Sequence, residues 1–228
     1  DTHTAGQPTR TVIGGLPPIP GNTVVEKMLH LREHMDWIRT SLMFEPRGHS
    51  VMSGVLLFEP TRAEADYGVV FIETGGYLPM CGHDTIGVCT ALVESGMVDV
   101  HEPETQINLE TPAGLTRVRV HVEGGKAKSV TLRNIPSFVI AQDVKVDVPG
   151  VGRVVMDVAY GGNTYAIVSA EHFDLGLTPE NASRIISIGR TVRDAVNAQV
   201  SIRHPERDFI DSCTHVEFYC PAVTPGAH

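Results

Sequence analysis

Cys81 stands out among the residues that could do chemistry, because it lies where a short buried helix is predicted to begin. The stretch Tyr77–Gly96 becomes apolar on nearly every helical face after Gly82, so we expect a buried helix instead of an amphipathic one. Free backbone N–H groups and the positive end of the helix dipole gather at such a start. They bind anions and lower the pKa of a thiol placed on them, which makes Cys81 a candidate thiolate.

Three roles for this thiol fit the neighbouring residues. As a base, Cys81 would remove a proton from a carbon next to a carboxylate that the backbone N–H groups of Gly82 and His83 hold. As a nucleophile, it would need an imidazole at the sulfur and an oxyanion hole. His83 is so near in sequence that we expect its ring not to reach the sulfur, and no His–Asp or His–Asn pattern completes a hydrolase. The third role is that of a buried structural cysteine.

Two further helices are predicted. Thr23 and Glu26 form a capping box, and apolar residues then recur at spacings of three and four, which predicts one amphipathic helix over Thr23–Leu42. A second helix opens at Thr178-Pro179-Glu180, with an N-cap residue, a proline at the first helical position and an acid in the first turn. Its apolar stripe is Ile185, Ile188, Val192 and Val196.

Short apolar segments between turn residues predict the strands. They are Ser50–Phe58, Tyr67–Thr74, Gln106–Glu110, Leu115–Glu123, Ala127–Leu132, Phe138–Ala141, Val144–Val148, Val151–Ala159, Val200–Arg203 and His215–Tyr219, with another after the turn in Tyr160–Ala170. No parallel βαβ rhythm appears, so we predict an α+β fold of mostly antiparallel sheets packed on helices. No element is predicted for Pro221–His228.

Composition excludes several classes of function. The chain has 228 residues and a formal charge of -9, from 27 acidic and 18 basic residues, without a Lys/Arg cluster. Nucleic acid and anionic membranes are therefore not expected as partners. No apolar run is long enough for a membrane span, and no signal-peptide pattern opens the chain, so we expect a cytoplasmic protein.

The cysteines do not form a metal-binding pattern. Cys81, Cys89, Cys213 and Cys220 have spacings that fit no zinc site. In a chain of this length without a secretory signal, free thiols in a reducing compartment are expected. Cys89 lies in the middle of the predicted helix and is interpreted as a small buried hydrophobe.

At this point four segments carry a resemblance. Met80–Gly87, MCGHDTIG, resembles the first catalytic motif of the proline racemase family, which includes proline racemases, 4-hydroxyproline epimerases and trans-3-hydroxy-L-proline dehydratases. Asp1–Pro8, Pro46–Gly54 and Gly161–Ala170 agree with the family's other motifs, in its order and spacing. The four together favour a catalytic role for Cys81 over a structural one.

The resemblance implies a reaction that needs no pyridoxal phosphate, metal or other cofactor. Two cysteines on opposite faces of the substrate's Cα exchange its proton, one as a thiolate and the other as a thiol. Cys81 matches the first cysteine, and Gly82 and His83 match residues that bind substrate. His215 lies where family members carry a substrate-facing histidine, and His3 becomes a candidate neighbour of the site, although its sequence context alone favours an ordinary loop histidine.

The implied fold is similar to that of diaminopimelate epimerase, with two lobes that are each a β-barrel-like sheet around a central helix. Residues 1–135 would form the lobe that carries Cys81, and residues 136–228 part of a second lobe. The family's second half-site, an Asp followed by Cys-Gly-Thr or Thr-Gly-Thr, does not occur in this chain. Cys213 and Cys220 are interpreted as strand residues, so we expect the second lobe to lack its central helix and its half-site here.

The expected enzyme is an isomerase that inverts the α-carbon of proline or 4-hydroxyproline with Cys81 as one acid/base. One alternative is a trans-3-hydroxy-L-proline dehydratase, which would carry Thr instead of Cys at the second half-site. Another is a non-catalytic protein that binds a small carboxylate at the amides of Gly82 and His83. The only partners expected are the small-molecule substrate and, in a homodimer, a second copy of the chain.

Overall fold

The chain divides into two compact units, residues 1–135 and 136–228, in a computed structural model that describes residues 1–222 and 226. Each unit has a hydrophobic core of its own. The end of the segment 221–228, for which no element is predicted, lies mostly outside the described residues. None of the helices in the described part of the chain combines the length and hydropathy needed to cross a bilayer.

The first unit is an eight-stranded sheet with three helices. Its strands are β1 (Thr2–Thr4), β2 (Gln7–Val12), β3 (Ser53–Phe58), β4 (Tyr67–Glu73), β5 (Gly76–Leu78), β6 (Glu104–Thr111), β7 (Gly114–Glu123) and β8 (Lys126–Arg133), and its helices are α1 (Val24–His34), α2 (Trp37–Met43) and α3 (Gly82–Glu94). The sheet order is β1-β2-β3-β4-β6-β7-β8, and β5 pairs with β4. Only β2–β3 and β4–β6 are parallel pairs in this sheet.

The single helix predicted over Thr23–Leu42 is wrong, because the structure has two helices there. Helix α1 begins as expected, with the Thr23 side chain accepting a hydrogen bond from the Glu26 amide at 3.1 Å. It ends at His34, because the next residue, Met35, has a φ of -134° and is not helical. Asp36 then pairs with Arg39 and starts α2. The apolar spacing continues across the break, and therefore the periodicity alone could not reveal it.

The buried helix predicted after Cys81 is confirmed. Val88, Cys89 and Leu92 of α3 are completely buried in the core of the first unit, between the inner faces of the strands. Gly96 has a φ of +69° just beyond the helix end, the left-handed conformation that suits glycine. The helix therefore lies inside the unit, and its first turn is fixed by the surrounding strands.

Among its described residues, the second unit has a four-stranded sheet and one long helix. Its strands are β9 (Phe138–Val148), β10 (Gly152–Tyr160), β11 (Thr164–Ser169) and β12 (His215–Tyr219), and its helix is α4 (Ala182–Gln199), preceded by short 3-10 helices at Ala170–Phe173 and Pro179–Asn181. The sheet order is β12-β11-β10-β9, and β11–β12 is a parallel pair. Val192 and Val196 of α4 are fully buried in this unit's core.

Several predictions for the second unit need correction. Phe138–Ala141 and Val144–Val148 are one strand, because both segments pair with β10, and Asp143, with a φ of +51°, lies at the bulge between them. Val200–Arg203 pairs with no strand of the described sheets. Cys213 and Cys220 flank β12 instead of lying within it. The α+β class itself is confirmed, since most strand pairs of both sheets are antiparallel.

Candidate active site

Cys81 is the N-cap residue of α3, in extended backbone conformation with φ -143° and ψ 119°. Strand β5 and Pro79 lead the chain to it, and the helix starts at Gly82. The residue is 7% exposed. The first amides of any helix, here those of Gly82 and His83, lack partners within the helix and remain available to a ligand. The Asp84 amide of the same turn interacts with the Cys81 thiol.

Strands β1 and β2 hold the first turns of α3 in place. The Thr4 hydroxyl donates to the carbonyl oxygen of His83 at 3.1 Å, and the Thr2 hydroxyl donates to that of Gly87 at 3.2 Å. Gly87 permits this close approach, since a Cβ there would lie 2.6 Å from Oγ1 of Thr9. The glycine therefore brings the helix against the strand that carries Thr9.

Asp84 is the completely buried carboxylate of this site, with no exposed surface. Its Oδ1 accepts a hydrogen bond from the Thr9 hydroxyl at 2.8 Å, and its Oδ2 accepts a short one from the Ser53 hydroxyl. These two hydroxyls come from β2 and from the start of β3. Both carboxylate oxygens are thus fixed by residues far away in sequence.

The expectation that His83 would not reach the sulfur is wrong. Its Nδ1 lies 3.3 Å from Sγ of Cys81, and its Nε2 lies 3.1 Å from Oδ1 of Asp84. Apart from this ion-pair contact, the buried Nε2 atom has no hydrogen-bond partner among the described residues. Cys81 has an extended conformation just before the first helical turn, and its sulfur meets the ring of that turn. Thiol, imidazole and carboxylate therefore form a continuous chain.

The charges at the site change the expected state of the thiol. Burial, followed by the charge of Asp84, raises the pKa of Cys81 well above its ordinary value, and the Asp84 backbone amide only partly offsets this. The prediction of a lowered pKa from the helix start alone is therefore wrong for this conformation. Interaction with Asp84 raises the pKa of His83, although partial burial opposes it. The arrangement favours a thiol beside an imidazolium over a free thiolate.

Sequence reasoning missed two carboxylates near the thiol. Asp84 lies inside the motif MCGHDTIG, but the motif alone assigns it no role. Glu73 is the last residue of β4, and its pKa is raised by burial and by the charge of Asp84. Its charge also contributes to the raised pKa of Cys81. No local pattern could have identified Glu73, because its place near the site depends on the pairing of β4 and β5.

The other predicted residues, His3 and His215, have contacts of their own. His3 is an exposed residue of β1 whose Nδ1 accepts a hydrogen bond from the Gly6 amide at 3.2 Å, within its own turn. His215 begins β12 in the second unit. Its Nδ1 lies 2.8 Å from the Thr214 hydroxyl, and its ring stacks on Tyr165. Cys81, Gly82 and His83 are thus brought together, whereas His215 belongs to the other unit.

Donor atoms of Cys81, His83 and Asp84 lie within 4.8 Å of one another, a spacing that a metal ion can also use. Both carboxylate oxygens already accept hydroxyl hydrogen bonds, and each ring nitrogen already faces a neighbour. We therefore interpret the cluster as a chain of acid–base contacts instead of a metal site.

A cysteine at the start of a buried helix in an α+β lobe, next to free backbone amides, defines a class of site suited to proton transfer beside a carboxylate. The whole chain, residues 1–228, matches the family model described as proline racemase. The chain belongs to the proline racemase family.

Individual relatives agree with this assignment. The chain is 51% identical over 221 residues to a 4-hydroxyproline 2-epimerase of Streptosporangium roseum, covering 97% of the chain and 66% of that protein. It is 43% identical over 227 residues to a proline racemase of Clostridioides difficile, covering 100% of the chain and 68% of that protein.

A solved structure is also similar. The hydroxyproline epimerase of Agrobacterium vitis, crystallised with bound trans-4-hydroxy-L-proline, superposes with a TM-score of 0.91 at 34% identity, over 95% of this chain and 64% of that one. The chain therefore spans about two thirds of the length of the relatives it matches.

Proposed function

We propose that the protein inverts the α-carbon of proline or 4-hydroxyproline without a cofactor, with Cys81 as one of two acid/base groups. The single observation that carries the proposal is the position of the Cys81 sulfur at the start of α3, in contact with His83, in a chain of this family. The names of the relatives and the hydroxyproline bound to the Agrobacterium vitis epimerase support this substrate class.

In the proposed reaction, the backbone amides of Gly82 and His83 bind the substrate carboxylate. The Cα–H bond breaks, the proton goes to the thiolate form of Cys81, and the electron pair delocalises into the adjacent carboxylate. A second acid then gives a proton to the opposite face of Cα, so the sum of atoms is unchanged and only the configuration differs. In the reverse direction, Cys81 gives its thiol proton.

We propose that the second acid is a cysteine outside these 228 residues, in the remaining third of a full-length protein of the relatives' size. Residues 136–228 would then be part of the lobe that carries it. A role for His215 in contacting the substrate rests on the family resemblance alone.

The test uses the full-length protein in D2O with L-proline, trans-4-hydroxy-L-proline or trans-3-hydroxy-L-proline, followed by NMR. We expect deuterium at Cα together with the opposite configuration, for one of the first two substrates. Formation of pyrroline-2-carboxylate from the 3-hydroxy compound, without inversion of the others, would instead indicate the dehydratase. Absence of α-exchange with every proline derivative would contradict the proposal.

One observation supports a second candidate, a cysteine nucleophile. The contact between Cys81 and His83, continued to Asp84, has the order of groups found in thiol hydrolases. Intact-protein mass spectrometry during turnover separates the two. A covalent adduct on Cys81 would favour the nucleophile, whereas an unchanged mass with α-exchange favours the base.

We further propose a cytoplasmic homodimer whose ligand is this small molecule. The four free cysteines support a reducing compartment. Light scattering on the purified full-length protein measures the oligomeric state.

A further inference from the structure

Asp84 has no role in the two-base reaction described above, although it is the most deeply buried charged group at the site. Burial of a carboxylate is costly unless hydrogen bonds and a counter-charge compensate for it. Thr9 and Ser53 provide the two hydrogen bonds, and the His83 ring, with Nε2 at 3.1 Å, provides the counter-charge. Two segments distant in sequence, at Thr9 and Ser53, therefore converge to hold a carboxylate that also contacts the histidine.

The groups that face His83 come from several elements. The carboxylate of Asp84 and the sulfur of Cys81 belong to the first turn of α3, the Glu73 carboxyl ends β4, and the Pro8 backbone belongs to β2. Both carboxyl groups favour the protonated ring, and partial burial opposes it. An imidazolium would in turn place its Nδ1–H at the sulfur and offset the two carboxylates that disfavour a thiolate.

We propose that Asp84 is a positioning residue, which holds the His83 ring protonated and turned so that its Nδ1–H donates to the sulfur of Cys81. The thiolate that receives the substrate's proton is then half of an ion pair with the imidazolium. The inference rests on the proposed function for its catalytic consequence. The protonation of His83 itself can be measured without substrate.

The test begins with an NMR titration of the chain carrying isotope-labelled histidine, with the His83 signal assigned by His83→Gln. We expect a midpoint above 6.5 for His83 in the unaltered protein and a lower midpoint in Asp84→Asn. The matched control is Glu110→Gln, which converts another buried carboxylate of the same unit, bonded to Thr61, into an amide. The control should leave the His83 midpoint unchanged.

The full-length protein gives the second readout. In Asp84→Asn, the basic limb of the pH profile of kcat/KM should move to lower pH by the shift that NMR measures for His83. Asp84→Glu should partly restore the original position of this limb. If neither protein exchanges the α-hydrogen, the proposed function fails while the titration still decides the role of Asp84.

Three results would overturn the inference. The first is an unchanged His83 midpoint in a folded Asp84→Asn protein, and the second is an equal shift in Glu110→Gln. The third is a His83 midpoint at or below 6.5 in the unaltered protein, which would contradict a protonated ring. This result decides the question even if Asp84→Asn does not fold.

Discussion

The sequence contains two Cys-x-His tripeptides, one in each unit, and the structure gives them opposite chemistry. Cys81 and Cys213 are similarly buried, at 7% and 2% exposure. At α3 the thiol meets the imidazole of the histidine two positions later. Before β12, the Cys213 thiol instead donates to the backbone carbonyl oxygen of His215 at 3.1 Å. The same spacing therefore links the side chains in one unit and not in the other.

Backbone direction explains the difference. At a helix start, residues two positions apart turn about the same axis, so an N-cap side chain can lie over the ring that follows. In an extended chain, residues two positions apart share a face but lie roughly 6.6 Å apart along the strand. The Cys213 thiol bonds to a backbone carbonyl oxygen instead. The Asn197 side chain also bonds both the amide and the carbonyl oxygen of Cys213, as a strand partner would. Cys213 is thus a structural residue, as its neighbourhood of main-chain bonds indicates.

The largest expected effect separates the two cysteines by activity. Cys81→Ser in the full-length protein should lower kcat for α-hydrogen exchange by about 10²–10⁴-fold or more, because a serine hydroxyl is a poor base. A substrate analogue should still bind, as the amides of Gly82 and His83 remain. Cys213→Ser should keep kcat within about twofold and lower the free energy of unfolding by about 1 kcal/mol. Exchange kinetics and urea unfolding measure the two quantities.

Equal loss of activity in both variants would mean that the comparison is wrong. If Cys81→Ser kept its ligand affinity in a protein that never showed turnover, the chain would be a binding protein for small carboxylates instead of an enzyme.

The middle residues of the two tripeptides give the next largest effect. A Cβ at Gly82 would meet no protein atom within 4 Å, so Gly82→Ala should fold normally. It should still reduce kcat/KM by roughly tenfold or more, because the methyl group occupies the space where the substrate must approach the amides. Thr214→Val should instead keep kcat/KM and lower the free energy of unfolding. It removes hydroxyl contacts to His215 and to the Thr164 carbonyl oxygen, which costs about 1 kcal/mol of folding free energy.

Gly87→Ala is the control for the first of these variants. Its Cβ would lie 2.6 Å from Thr9, and overpacking of this kind costs about 1–3 kcal/mol. If Gly82→Ala is stable but less active, while Gly87→Ala is destabilised, the substrate binds at the start of the helix. Full activity of Gly82→Ala would argue against binding there.

Local signals in the sequence were sufficient for the helix that carries Cys81. Its apolar run and Gly96 predicted a buried helix, and the boundaries of most strands followed from turn residues. The failures have two physical origins. The break between α1 and α2 is local but does not interrupt the apolar spacing, whereas other failures depend on partners far away in sequence. Val200–Arg203 has the composition of a strand but no neighbouring strand to pair with.

The candidate site shows the same limit. The sequence identified Cys81, Gly82 and His83 through one contiguous motif. It could not show that Asp84 is held by Thr9 and Ser53, at separations of 75 and 31 residues. Nor could it predict the state of the thiol, because helix starts lower the pKa of a thiol whereas burial and nearby carboxylates raise it, and only coordinates decide which effect is larger.

The smallest effect concerns the pH dependence of folding, which should have opposite sign for the two histidines. The pKa of His83 is raised by Asp84, so its contribution to stability is present below 6.5 and is lost as the pH rises through its folded pKa. Burial, and secondarily Arg193, lowers the pKa of His215, so its contribution is lost as the pH falls from 6.5 through its folded pKa.

Urea unfolding of His83→Gln and His215→Gln at pH 5.5 and pH 8 measures this difference. Relative to the unaltered protein, His83→Gln should be the more destabilising at pH 5.5, and His215→Gln at pH 8. If both variants were more destabilising at the same pH, the two histidines would have similar environments. That result would contradict the contacts described for each. A sign reversed only for His83 would mean that its neutral ring, and not the imidazolium, is the form that the first turn of α3 stabilises.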